Sequence, residues 1–328
     1  MSTTPTDHVA LRKLFIRLLL TIPVSGTFCL VYPGTTWWML AIHAALVIND
    51  FDRFTLLLHN LSHIPTVYGP FRKVGRYALA YLGLFFGQTP ATYRAHHVGM
   101  HHREENGVDD LSTTLPFQRD SFLDFLRYFV TFLVGTIILL PIYFWRRDRK
   151  DWSMMAMFGE LSGYVIFAVC FWWQPVPALM VLGLPFVMSR FLMMAGNWAQ
   201  HAFIDPAAPQ DPYRSILTVL APRYNRRCFN DGYHLTHHLH PVMAFDEIPK
   251  HFETVKADWG RRGALVFAGP DFVGVWWLLM WGRYRSLARC YVPIDGVTRS
   301  EDEIIEMLKS RLVPIRAAAA EERATADA

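Results

Sequence analysis

The chain has 328 residues, of which 52% are hydrophobic and 15% aromatic while only 18% are charged. Soluble domains carry about a quarter charged residues, and disordered, collagenous or coiled-coil chains have compositions far from this one, so those classes are excluded and a lipid environment is indicated. A net charge of +4, from 32 Lys and Arg against 28 Asp and Glu, is too small to suggest a nucleic-acid partner and suits anionic lipid headgroups better.

In chain order, Leu11-Arg12-Lys13 forms a basic flank before an apolar run from Leu14 to Tyr32. No A-x-A-like cleavage site follows, so this run is expected to remain as a first span. Further apolar runs cover Trp37 to Leu58, Tyr128 to Trp145, Met155 to Trp173 and Val176 to Asn197. Each approaches the ~20 helical residues that cross a hydrocarbon core. Pro33-Gly34 and Gln174-Pro175-Val176-Pro177 read as tight turns closing hairpins of spans, and Trp37, Trp38, Trp145, Trp152, Trp172 and Trp173 stand at run ends, where an aromatic belt belongs. The basic stretches Arg72-Lys73-Val74-Gly75-Arg76 and Arg146-Arg147-Asp148-Arg149-Lys150 are cytoplasmic by the positive-inside rule. With the polar stretch His101 to Arg119 on the same side, Tyr128 to Trp145 cannot cross once. Because it contains Gly135 and Pro141, it is expected to form a re-entrant or interfacial helix pair, leaving four full crossings.

Beyond Asn197, Phe272 to Trp281 is expected to be an interfacial helix. Ser300-Glu301-Asp302-Glu303 has the capping-box pattern that opens an amphipathic helix within residues 299–328, and Ala317 to Ala328 reads as a frayed, flexible tail. No internal repeat and no long linker divides the chain, so one domain over residues 1–328 is expected. Cys29, Cys170, Cys228 and Cys290 make no C-x-x-C pair, which argues for reduced thiols rather than a disulfide framework or a zinc knuckle.

The chemistry lies in the histidines. His59 and His63 form H-x-x-x-H; His97, His101 and His102 form H-x-x-x-H-H, preceded by His96; His234, His237 and His238 form H-x-x-H-H. On a helix, residues four apart share a face, so each box can turn two imidazoles into one pocket while the adjacent histidine addresses a neighbouring metal. Eight histidines exceed the needs of one ion, and two metals follow. Imidazole suits iron, copper and zinc alike. His8, His43 and His251 read as ordinary core or surface residues, and His240 as a neighbour of the site or a surface group. Glu104, Glu105, Asp109 and Asp110 follow the second box; Asp205 and Asp231 could orient ligating histidines, whereas the Asn106-Gly107 and Asp109-Asp110 stretch reads as loop. The expected fold is all-α: an integral membrane four-span helical bundle with a cytoplasmic helical cap carrying a histidine-rich di-metal site. H-E-x-x-H, Glu-x-x-His, G-x-S-x-G, a P-loop and a dinucleotide fingerprint are all absent, so reducing equivalents must come from another protein.

With these boxes, from His59 to about Pro241, the sequence resembles the membrane-bound fatty acid desaturases, a superfamily defined by three histidine boxes on the cytoplasmic side of a four-span bundle. The box spacings are similar to the acyl-lipid and bacterial branches. Asn197-Trp198-Ala199-Gln200-His201 resembles an Asn-x-x-x-His that, in acyl-coenzyme A desaturases, supplies an iron-ligating His and an Asn acting through water. The resemblance implies one iron on His59, His97, His102 and His237 with Asn197 through water, and a second on His63, His101, His201, His234 and His238; His96 is the alternative to His97. It further implies O2 as co-substrate, hydrogen removal from a fatty acyl chain or similar lipid held in a narrow apolar tunnel, and a separate ferredoxin-, rubredoxin- or cytochrome b5-like electron donor. The active site and both termini would be cytoplasmic. Hydroxylation or ketolation of a lipid on the same scaffold is the nearest alternative. A non-enzymatic membrane haem or metal-binding protein is the alternative from another class, but it would want paired histidines within spans, where only His43 lies.

Overall fold

A computed structural model describes residues 5–64, 69 and 71–315. The expected tail Ala317 to Ala328 lies outside them. In chain order the helices are α1 (Pro5–Val31), α2 (Trp37–His63), α3 (Arg72–Leu84) and α4 (Thr92–His96), then a π-helical turn His97–His101 leading into α5 (His102–Glu104). Next come α6 (Phe122–Arg146), α7 (Lys150–Trp173), α8 (Pro175–Ala178), a second π-helical turn Leu179–Gly183 and α9 (Leu184–Gln200). The remainder runs α10 (Pro212–Ser215), β1 (Leu217–Leu220), α11 (Pro222–Arg227), α12 (His234–Leu239), α13 (Ile248–Arg261), β2 (Leu265–Ala268), α14 (Phe272–Met280), α15 (Tyr284–Cys290) and α16 (Glu301–Ser310). The protein is mostly helical but not all-α. β1 and β2 pair in parallel, Leu217 against Leu265 through Leu220 against Ala268.

The chain gathers into two compact units. Among the described residues, the first comprises the chain up to Met100 with Leu133–Phe191, and the second comprises His101–Phe132 with residues 192–315.

In the first unit, the α1–α2 turn and the α7–α8 turn meet at one end, where the Gln174 side-chain amide donates to the Leu30 carbonyl at 2.8 Å. At the other end of α7, Arg149 donates to the Gly99 carbonyl at 2.5 Å. The 24 residues of α7 separate these two contacts, about 36 Å at the α-helical rise, enough to cross a hydrocarbon core of about 30 Å. Among the described residues, four helical runs are long and apolar enough to cross: Val9–Val31, Phe122–Arg146, Lys150–Trp173 and Pro175–Gln200. This set differs from the sequence expectation at two places. α2 is 27 residues long but carries Asp50, Asp52 and Arg53, so composition alone does not qualify it; Asp50 is buried and bonded by the Arg17 guanidinium at 2.6 and 3.0 Å. α6 is one continuous helix of 25 residues with Pro141 inside it, not the expected pair, because a proline forfeits one hydrogen bond and kinks a helix without having to end it.

α3 and α4 are joined by a loop, Phe85–Ala91, packed against α7 and α9 of the same unit. The approach is very close: a Cβ on Gly159 would lie 1.9 Å from the Pro90 carbonyl oxygen, and one on Gly163 would lie 2.5 Å from the Thr89 side chain. Gly87, at φ +74°, sits where a Cβ would strike the Pro185 carbonyl at 2.1 Å, so glycine is required there. Backbone of this kind in apolar surroundings needs partners. Arg190 supplies one, donating to the Gly87 carbonyl at 2.8 Å and to Glu160 at 2.9 Å, while Thr89 donates to the same Glu160 oxygen at 2.5 Å. Glu160 and Arg190 are both buried; removing either would strand a charge at a cost of about 3–5 kcal/mol. Beside this loop lies a cavity of about 310 Å³ with apolar walls that include Leu84, Gly163, Phe167, Leu182 and Phe186.

The second unit is cored by Ile216, Leu235, Phe252, Trp259, Ala264 and Val266. Gly232 links β1 to α12: its carbonyl accepts from Val219 at 2.8 Å, its N–H donates to Asn225 at 3.0 Å, and a Cβ there would meet the Val219 carbonyl at 2.4 Å. That fixes the entry of the third histidine box. Ser300 closes both bonds of the expected capping box with Glu303.

Candidate metal centre

His59 and His63 lie one turn apart at the end of α2, and His97 faces both. The His63 and His97 Nε2 atoms are 3.1 Å apart, and the donor nitrogens of all three histidines lie within 4.8 Å of one another. These three belong to the first unit.

In the second unit, His101, His201, His234 and His238 are all buried, with one nitrogen of each within 4.8 Å of the others. The His234 and His238 Nε2 atoms are 3.1 Å apart across one turn of α12. His102 and His237 form a further pair, Nε2 to Nε2 at 2.9 Å. His63 is thus gathered with His59 and His97, and the four-histidine group forms without it, unlike the split the resemblance implied. His97 and His101 also part company, although four residues separate them. The turn between them is π-helical, wider than an α-turn, so an i,i+4 pair no longer points one way. Gly99 allows this turn: a Cβ there would lie 2.7 Å from Trp152 and 2.8 Å from Phe144. His97, not His96, joins the donor group. His43 shares a hydrogen bond with Ser25 at 2.9 Å, and His240 and His251 pack together with ring centroids 4.9 Å apart.

The residues that hold these histidines were largely missed in the sequence. His101 Nδ1 donates to buried Asp110 at 2.7 Å, and Asp110 also accepts from Ser112 N–H at 2.8 Å, Ser112 O–H at 2.7 Å and Asn106 N–H at 3.2 Å. This carboxylate stands behind a box histidine, the arrangement expected of Asp205 and Asp231. Those two are engaged with Arg214 and Arg311, and with the Tyr224 hydroxyl, respectively. Asn197 donates its amide to the Ser112 carbonyl at 3.0 Å and to the Tyr128 hydroxyl at 2.8 Å, which leaves its side-chain oxygen as an acceptor. Thr114 donates to the His201 carbonyl at 2.6 Å. Arg119, wholly buried, donates to the carbonyls of Ala202, Thr114, Leu115, Phe117, Arg311 and Val313. The one sequence signal for Asp110 is a carboxylate nine residues past a box histidine on a polar loop.

The donor set fits a metal. His201 is 0% exposed, and neither ring nitrogen makes a hydrogen bond of ordinary geometry, which for an imidazole without a ligand would cost several kcal/mol. Burial, with His101 adding like charge, pulls the His201 pKa down to about 3. Burial and the surrounding histidines push His238 well below its usual value. Both rings are therefore neutral lone-pair donors at physiological pH, as ligation of iron, copper or zinc requires.

Buried neutral imidazoles with a carboxylate behind them, carried by a chain with span-length apolar helices, are groups that could hold a metal ion in a membrane protein. The fatty acid desaturase family model matches residues 35–270, most of the chain and all three boxes, and the protein belongs to the fatty acid desaturase family. Membership implies an oxidoreductase that acts on a lipid substrate and is associated with the membrane. No curated protein and no solved structure gives a significant match.

Proposed function

We propose that the protein is an O2-dependent di-iron desaturase that introduces a double bond into a fatty acyl chain or similar lipid. His59, His63, His97, His101, His102, His201, His234, His237 and His238, with Asn197 through water, would hold two iron ions, and His101, His201, His234 and His238 would share one of them. The observation that carries this reading is the four-histidine group, buried and backed by Asp110. When bound, the metal pair supplies O2 activation and removal of hydrogen from an unactivated methylene.

The chain's own residues do the rest. Asp110 accepts the His101 Nδ1–H, so that ring presents Nε2 to the metal. Asn197, held by Tyr128 and Ser112, offers a carbonyl oxygen to an ordered water. The 310 Å³ cavity in the first unit has walls suited to a hydrocarbon chain and the size of a small ligand site. Electrons would come from a separate ferredoxin-, rubredoxin- or cytochrome b5-like protein. The hairpin geometry of the first unit supports placing the turns near Pro33 and Gln174 on the outer face and the boxes on the cytoplasmic face, where Arg72, Lys73, Arg146 and Arg147 belong.

Product analysis tests the reaction. Purified protein with an electron donor, O2 and acyl lipids should release a product two hydrogens lighter, and elemental analysis should find two irons per chain. A hydroxylated or ketonic product would assign the alternative reaction, and one zinc without iron would remove the di-iron reading.

A further inference from the structure

α14 has two faces of opposite character. Phe272, Val275, Trp276 and Leu279 are buried. The Phe272 ring lies 5.8 Å from the His234 ring, centroid to centroid, and Trp276 lies 4.9 Å from Phe125. On the other face Val273, Trp277 and Trp281 recur every four residues and are 38%, 56% and 62% exposed, with the two indoles 5.5 Å apart. After a turn at Gly282, which has φ +61°, come the exposed arginines Arg283, Arg285 and Arg289. Glu301 is the acid that meets two of them, at 3.7 Å from Arg285 and 3.1 Å from Arg289. Exposed pairs of this kind are weak enough to be exchanged for another anion.

An exposed indole pair followed by guanidinium groups matches the layers of a lipid surface. Indole places an apolar body in the acyl boundary and its N–H among the headgroups, and guanidinium pairs with phosphate in a bidentate fork. We propose that α14 and the turn after it anchor the second unit to anionic lipid: Val273, Trp277 and Trp281 enter the headgroup–acyl boundary, and Arg283, Arg285 and Arg289 engage lipid phosphate. Because Phe272 packs against His234, the same helix ties the four-histidine group to the depth of the lipid interface. Such an anchor serves the protein whichever reaction it performs.

Full-length protein in nanodiscs of phosphatidylcholine mixed with an equal amount of phosphatidylglycerol provides the test. Trp277 or Trp281 is replaced, one at a time, by a genetically encoded ketone residue carrying a nitroxide, with the native cysteines left in place. Both positions are exposed, so folding is preserved, and Asp302, exposed on α16, is the reference position. The nitroxides at 277 and 281 should relax with oxygen and lose most of the nickel-complex relaxation seen at 302. In discs of phosphatidylcholine alone, or after combined Arg283→Ser, Arg285→Ser and Arg289→Ser, they should move towards water. Nickel accessibility equal to that at 302 would overturn the anchor, and a depth unchanged by phosphatidylglycerol would overturn the phosphate contacts. Protection from oxygen and nickel together that rises with protein concentration would assign the stripe to a protein partner and likewise overturn it.

Discussion

Replacing Asp110 by Asn tests whether the buried carboxylate sets the metal affinity of the second unit. Asp110 accepts from His101 Nδ1, from the N–H and O–H of Ser112 and from the N–H of Asn106, at 2.7 to 3.2 Å. An asparagine fills the same space but turns one oxygen into a donor. With its amide group towards Ser112, the hydroxyl can rotate to accept and a single backbone N–H is left unpaired, costing about 1–3 kcal/mol. In the other orientation His101 itself loses its acceptor. In both cases the negative charge behind the ring is gone. Loss of such an orienting partner lowers metal affinity about 10–100-fold, or about 1.4–2.7 kcal/mol. The assay is metal retention by the full chain against a chelator series, counted as metal per chain, with melting temperature as the measure of folding. Ser112→Ala removes only the hydroxyl bonds and should hold metal better than Asp110→Asn. Unchanged metal retention in a folded Asp110→Asn protein would refute the orienting role.

His201→Ala should abolish product formation and lower the iron content while the protein still inserts, with His251→Ala active as the control; normal turnover with full iron in His201→Ala would exclude it as a ligand. Gly99→Ala should lower the melting temperature by an amount corresponding to about 1–3 kcal/mol of overpacking against Trp152 and Phe144 and also reduce metal occupancy; a higher melting temperature, as expected for an ordinary helical glycine, would contradict the tight π-turn. Cysteines introduced near Pro33 and Gln174 should react with an impermeant thiol reagent from outside, and one near Arg147 should not; external labelling near Arg147 would reverse the proposed sidedness.

What was legible in the sequence is what repeats locally. Box spacing along a helix, apolar runs of span length and the Ser300–Glu303 cap each need only neighbours a few residues away, and the structure contains the helices they require. Asn197 and His201 were legible only through family resemblance. The missed features depend on distant partners. Arg119 is an exposed residue type that becomes wholly buried because carbonyls from residues 114 to 313 converge on it. β1 and β2 are four residues each and pair across more than forty intervening residues, too short for an alternating pattern to register. The π-turn at His97–His101 leaves no composition signature beyond one glycine, yet it decides which histidines share a pocket. Asp110 was read as loop because the surrounding Asn, Gly and Asp residues have turn chemistry, and nothing local reports that the loop folds back beneath His101.

The clamp on the Phe85–Ala91 loop also constrains how the protein is made. Gly87 and its donor Arg190 are 103 residues apart, so at about 5–20 residues per second the ribosome delivers the arginine about 5–20 s after the glycine. Throughout that interval the loop carbonyl lacks its guanidinium, and Thr89 waits for Glu160 over the shorter separation of 71 residues. The second histidine box follows directly on α4, so its final placement must wait for α7 and α9 to be synthesised. From residue 102 to residue 200 the nascent chain therefore carries its second box unassembled, and any metal held with that box would enter only after α9 has been made.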